Sequence, residues 1–292
     1  MDSRGEEDPR RDEAAQAPRT RERGRPRTSP LLLLLAALIL LLLAVAAILL
    51  WGSFGDSISG TSVAQDSIDS AGPKPQVHLT NAAGQVRVEG VEGSKAVEYE
   101  ATRYAVGPDP AAAKQQASEV PVDITRENSR ITIETAGGRD TGADYDLRVP
   151  AGASVDIESE AGDVEVSGLT GNVKVAAEAG DVTIGNVGGG VNVSVPQGDV
   201  TVANVNTDTG EAELVVGSGD AFLEDLILGT LEASVKAGSV TLSGRFSGDG
   251  RVSVEIGDII ARLPAEDTRD LTLQARVGNV LREPTDEGSD GQ

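Results

Sequence analysis

The residues with the best claim to chemistry are aspartates that recur behind turn glycines: Asp163, Asp181, Asp199, Asp220 and Asp258. Carboxylates held in one line offer two kinds of chemistry. A pair flanking a glycosidic bond can act as general acid and as base or nucleophile. A stack about 4.8 Å apart, the spacing of neighbouring strands, can share a hard cation such as calcium. Each option sets a second condition. Sugar-cleaving grooves commonly add aromatic stacking platforms, yet beyond the apolar run described below the aromatics are only Phe54, Tyr99, Tyr104, Tyr145, Phe222 and Phe246. The calcium repeat GGxGxDxUx places its Asp two positions before the apolar residue, whereas here Asp adjoins the first valine. A repeated Asp after a turn glycine has a plainer use in forming the turn. We adopt that reading.

The remaining candidates are few. His78 is the sole histidine and sits in the first strand pattern of the exported part, where a solvent-facing position fits it better than catalysis. There is no cysteine, which removes disulfides, thiolate zinc sites and thiol nucleophiles. No HExxH, P-loop, GxGxxG or GxSxG sequence occurs. No catalytic, cofactor-binding or metal residue is therefore assigned, and no cofactor is expected.

The elements that position these side chains follow from a repeat. The phrase Gly-Asp/Asn/Ser-Val-x-Val/Ile/Leu occurs at Gly162, Gly180, Gly198 and Gly238, with looser copies at Gly219, Gly257 and Gly278. In chain order these glycines are 18, 18, 21, 19, 19 and 21 residues apart. Half-period copies start at Gly171 and Gly190. Val-x-Val sends both valines to one face of a strand and the polar residue between them to the other. Gly followed by Asp or Asn supplies a turn. A fixed period of about 19 residues predicts an all-β solenoid in which each period is one coil and neighbouring coils share a continuous aliphatic column. A single coil buries too little to offset the entropy of ordering it. Only stacking makes it stable.

The membrane pattern is as plain. Leu31 to Trp51 is an uncharged run without Gly or Pro, and as a helix its 21 residues span about 32 Å, enough for a hydrocarbon core of about 30 Å. Arg19, Arg21, Arg23, Arg25 and Arg27 precede it, opposed only by Glu22, and no Lys or Arg follows until Lys74. The positive-inside rule predicts a signal-anchor with a cytoplasmic N-terminus and an extracytoplasmic C-terminal domain. The expected organisation is a disordered cytoplasmic tail (1–30), one transmembrane α-helix (31–51), a flexible tether (52–76) and N-terminal strands with a cap (77–152). The solenoid repeats (153–281) and a disordered acidic tail (282–292) complete it. Within the cap, Ala111 to Ser118 reads as a short helix between prolines.

Charge restricts the partners. The chain carries −22 overall; residues 1–30 hold eight Arg and seven acidic residues, leaving 17 basic and 40 acidic residues beyond them. Such a domain repels phosphate backbones, so no nucleic-acid partner is expected. The membrane is the expected partner, together with an envelope protein or polymer whose identity is not written in the residues.

Tyr145-Asp146-Leu147-Arg148-Val149-Pro150-Ala151-Gly152, joined to the Gly-Asp-Val-x-Val repeats, resembles the bacterial putative-adhesin family of unknown function. The likeness covers roughly residues 75–281. It implies a β-helix-like envelope domain and brings no catalytic residues with it. Binding, adhesion or scaffolding is the expected role; an envelope sensor working through a partner and a polysaccharide-active β-helix enzyme are the alternatives.

Overall fold

The computed structural model describes residues 58–69, 72, 74–138, 140–264 and 271–284. The expected cytoplasmic tail and the Leu31–Trp51 span lie outside these residues. Among the described residues no helix is long and apolar enough to cross a membrane.

The alternating valines form strands that stack as an all-β solenoid. Each coil contributes one strand to each of two parallel columns. In one column β6 (Arg130–Thr135), β2 (Gln76–Asn81), β8 (Ser154–Ala161), β10 (Val173–Ala179) and β12 (Val191–Gln197) pair in that order. The second halves of β13 (Val200–Ser218) and β14 (Ala221–Ala237), then β16 (Gly250–Ile256) and β18 (Leu271–Val277), continue it. In the other column β7 (Thr141–Pro150), β3 (Val86–Val91), β9 (Val164–Ser167) and β11 (Val182–Val187) lead into the first halves of β13 and β14. That column ends with β15 (Val240–Phe246), β17 (Ile259–Leu263) and β19 (Val280–Pro284).

Register keeps like on like. Val182 lies between Val164 and Val200, and Ile184 between Val166 and Val202, all at most 1% exposed. Fully burying one such side chain stabilises by about 1.5–3 kcal/mol. The two 21-residue periods of the glycine count reappear as column steps, from Val191 to Ala212 and from Gly250 to Leu271. In the first, the surplus is taken up where pairing slips between Thr207 and Glu211.

The repeat glycines close one corner of every coil. Gly162, Gly180, Gly198, Gly219, Gly238, Gly257 and Gly278 all have positive φ, from 126° to 146°. A Cβ on Gly180 would stand 2.2 Å from the Gly162 carbonyl oxygen, and one on Gly198 would stand 2.1 Å from that of Gly180. Glycine is thus needed here for backbone shape and for close stacking. Another corner uses Gly168, Asn186, Asn204 and Asp225 at φ 74°, 55°, 55° and 52°.

Three boundaries differ from expectation. Residues 58–69, assigned to the flexible tether, form β1 (Ile58–Asp69), which pairs along its whole length with β4 (Ala96–Gly107). The small polar residues of β1 carry little apolar alternation, and β4 imposes the strand. Arg282, Glu283 and Pro284, assigned to the acidic tail, belong to β19. The stack also begins before residue 153, because β2–β3 and β6–β7 are coils in their own right. They are out of chain order: β2 lies between β6 and β8.

At that first end lie β1, β4, β5 (Val122–Glu127) and α1 (Pro110–Glu119). The helix is the expected one, extended by one residue at each end. Asp109 Oδ1 caps it by accepting from the N–H groups of Ala111 and Ala112 at 3.0 and 2.9 Å. Pro110 starts the helix and Pro121 follows its end. Ala113 and Ala117, four residues apart on one face, are buried. Gly60 and Gly107 let the helix lie close on β1 and β4; a Cβ at Gly60 would meet the Lys114 nitrogen at 2.3 Å. Arg103 reaches from β4 to the last turn, donating to the carbonyls of Ser118 and Val120 at 3.2 and 3.4 Å.

Candidate functional site

The repeat aspartates do form a line, and stacking determines their use. Asp163 Oδ1 accepts the Asp181 N–H at 3.0 Å, Asp181 Oδ1 accepts from Asp199 at 2.9 Å, and Asp199 Oδ1 accepts from Asp220 at 2.8 Å. Asp220 Oδ1 accepts from Ser239 at 2.7 Å, and Asp258 Oδ1 accepts from Asn279 at 2.7 Å. Each carboxylate therefore satisfies the backbone of the following coil. The turn-forming reading of these residues fits, with the addition that the bond runs between coils. Among the described residues no group of three His, Asp or Glu side chains is placed to hold a metal ion.

His78 lies on the outward side of β2. Its Nδ1 stands 3.6 Å from Asp156 Oδ2 on β8, and Lys174 Nζ on β10 stands 3.1 Å from Asp156 Oδ1. Register stacks the three residues directly, one per coil. Among the described residues the aromatics form no platform: Tyr145 and Phe246 belong to the core, and Phe222 alone lies in a repeat strand's exposed row.

A concave, carboxylate-rich surface sits at the first end, where β4 runs antiparallel to β7 and stands beside the outward faces of β3, β9 and β11. A cleft of about 480 Å³ is lined there by Glu100, Asp144, Asp146, Asp163, Glu165 and Asp181, with Arg87 among them. A second hollow of about 500 Å³ adjoins it, sharing Glu100 and Asp146 and adding Asp66, Glu98, Tyr99 and Arg148. Pairing explains the charge density. Glu100 faces Asp146 directly across the β4–β7 ladder, an arrangement unfavourable for like charges. Arg87 stacks between Asp146 and Glu165, and its Nη2 and Nε donate to Glu165 Oε2 at 2.7 and 3.0 Å. Glu165 first, then Asp146 and Glu89, raise the Arg87 pKa and hold it charged.

Beneath the cleft the core contains polar groups that later coils lack. Asn81, Thr135 and Ser159 are buried in successive strands of one column, at the position that Ala177 and Val195 fill further on. Asn81 Nδ2 donates to the carbonyls of Ala143 and Gly84 at 3.0 and 3.2 Å, and Thr135 hydrogen-bonds the Tyr145 hydroxyl. Burial pushes the Tyr145 phenol up, partly offset by the Thr135 bond. Of the cleft carboxylates, sequence reasoning singles out Asp163 and Asp181, as turn formers, and none of the others. Their signal is the polar half of each alternation, Glu98-x-Glu100 and Asp144-x-Asp146, which becomes a surface only once β4 is known to fold back on β7.

The Toastrack DUF4097 family model matches residues 112–287. The chain belongs to that family. Among curated proteins none matches. Of solved structures, a putative adhesin from Bacteroides fragilis is 13% identical, with 76% of this Toastrack chain and 97% of that chain covered, at a TM-score of 0.49. A putative adhesin from Parabacteroides distasonis is 16% identical over 78% and 98% of the two chains, at 0.40. A putative cell adhesion protein from Clostridium sporogenes is 9% identical over 78% and 100%, at 0.32.

Proposed function

We propose that this Toastrack chain is held in the cell membrane by Leu31–Trp51, with its N-terminus in the cytoplasm, and presents the solenoid outside as a non-catalytic binding or scaffolding module. Its partner is an envelope protein or polymer, and the cleft beside β4 is the surface that meets it. The observation carrying the non-catalytic part is the fate of the repeat carboxylates. The side chains best suited to acid–base work are engaged as acceptors for the next coil, which leaves a rigid charged surface in place of a reactive centre. The uncharged span and its arginine flank support the anchoring.

The chain has no cysteine, so single introduced thiols report topology directly. A Glu232→Cys chain, exposed on β14, should react with a membrane-impermeant maleimide on intact cells. A Ser3→Cys chain should react only after permeabilisation. The reverse pattern overturns the orientation, and labelling of neither or both in intact cells overturns the anchoring. For the cleft, Glu100→Gln with Asp146→Asn should lower retention of the full chain on envelope fragments without lowering its melting temperature. Undiminished retention assigns binding elsewhere.

A further inference from the structure

Four strands end the two columns, and each hydrogen-bonds on one side only among the described residues: β1 to β4, β5 to β6, β18 to β16 and β19 to β17. Free edges invite other strands, and proteins guard them with proline, with charges and with inward-pointing ionic side chains. β5 follows Pro121 and carries Asp123, Arg126 and Glu127. β19 ends at Pro284, and its Arg282 stacks on buried Ala261 and donates to the Leu271 carbonyl of β18 at 3.2 Å, reaching across the last coil. β1 is guarded at one end only. Its 12 residues include no Pro, Lys or Arg, and its only charges are Asp66 and Asp69 near one end. At its middle, Val63 is 55% exposed.

We propose that the free edge of β1 pairs antiparallel with β1 of a second copy of this chain, about a two-fold axis at Val63. The sequence is self-complementary in that register. Val63 packs on Val63 of the second copy, and on the same face Thr61 meets Gln65 of the second copy and Ser59 meets Ser67 of the second copy. Cross-strand pairs of this kind are what stabilise a sheet. Asp66 falls opposite a glycine, Gly60 of the second copy. Six residues of stagger separate the two Asp66 carboxylates by roughly 20 Å, so the like charges do not oppose each other. α1 lies on the face that carries Gly60, and the exposed row of Ser59, Thr61 and Val63 lies on the other. The contact is isologous and closed, giving a dimer and no fibre.

The test uses the full chain in detergent. Oxidised Val63→Cys should run on a non-reducing gel at twice the 30.0 kDa chain mass, whereas Gln65→Cys, displaced four residues from its own copy, should cross-link at least tenfold less. Parent chain should sediment as a dimer and Val63→Lys as a monomer with an unchanged melting temperature. Equal cross-linking at 63 and 65, a monomeric parent, or a Val63→Lys chain that remains dimeric would each overturn the proposal. Should Val63→Lys fail to fold, the contrast between positions 63 and 65 still decides it.

Discussion

Replacing Gly198 by alanine adds one methyl group at the most crowded corner of the stack. The new Cβ would lie 2.1 Å from the Gly180 carbonyl oxygen, 2.7 Å from its carbon and 3.3 Å from Asp181 Oδ1. Carbon and oxygen need more than 3 Å, so the coils must part locally by about an ångström. Overpacking of this kind costs about 1–3 kcal/mol. The φ of 142° at this residue adds a backbone penalty of about 1–3 kcal/mol for any residue with a Cβ. Parting the coils also loosens the Gly180 N–H bond to the Gln197 carbonyl at 3.0 Å and the Asp199 N–H bond to Asp181 at 2.9 Å, each worth about 0.5–1.5 kcal/mol. The sum is roughly 3–9 kcal/mol, a large part of the 5–15 kcal/mol that holds a typical protein folded. Gly185 is the matched control, since a Cβ there would find its nearest neighbour at 4.0 Å. Urea unfolding of the full chain in detergent, followed by circular dichroism, should show Gly198→Ala losing several kcal/mol and Gly185→Ala within about 1 kcal/mol of the parent. Equal losses would refute the stacking argument.

Further outcomes follow from single contacts. Asp181→Ala removes the acceptor for the Asp199 N–H and should destabilise by about 1 kcal/mol, while Asp181→Asn, which keeps an acceptor oxygen, should melt near the parent. Because burial raises the Tyr145 pKa above its ordinary value of 10.0, the folded chain holds that proton more tightly than the unfolded one. Its contribution is full below pH 10 and is lost as pH rises through the folded value, so alkaline melts should be shallower for Tyr145→Phe. Arg282→Val removes the inward guard at the last coil, and light scattering should show concentration-dependent association into species larger than the parent's.

The repeat made the coils legible because burial demands strict alternation and the corner demands glycine. Where one signal was missing, the reading stopped short. Gly84-Gln85-Val86-Arg87-Val88 has the frame of a coil, and Gly84 has φ 121°, but Gln85 stands in the aspartate position. Within β7, Asp144-Tyr145 follows Ala143 in the glycine position, which hides another coil. The corner at Asn186 and Asn204 has no sequence signal of its own, because asparagine in a polar alternation looks like any outward residue. β1 looks like tether in the sequence because its strand state comes from β4 and not from its own side chains. The candidate site was legible only in its parts. Glu100 and Asp146 lie far apart in sequence, and only the antiparallel return of β4 makes them neighbours.

The central claim is that neighbouring coils share one interior and stand or fall together. Val182 is fully buried with Val164 and Val200 directly in register on either side, and an unpaired carboxylate at that depth is worth several kcal/mol of destabilisation. Hydrogen exchange on Val182→Asp should show protection lost in β9 and β13 as well as in β11. Exchange that rises only in β11, or matches the parent throughout, would contradict the account.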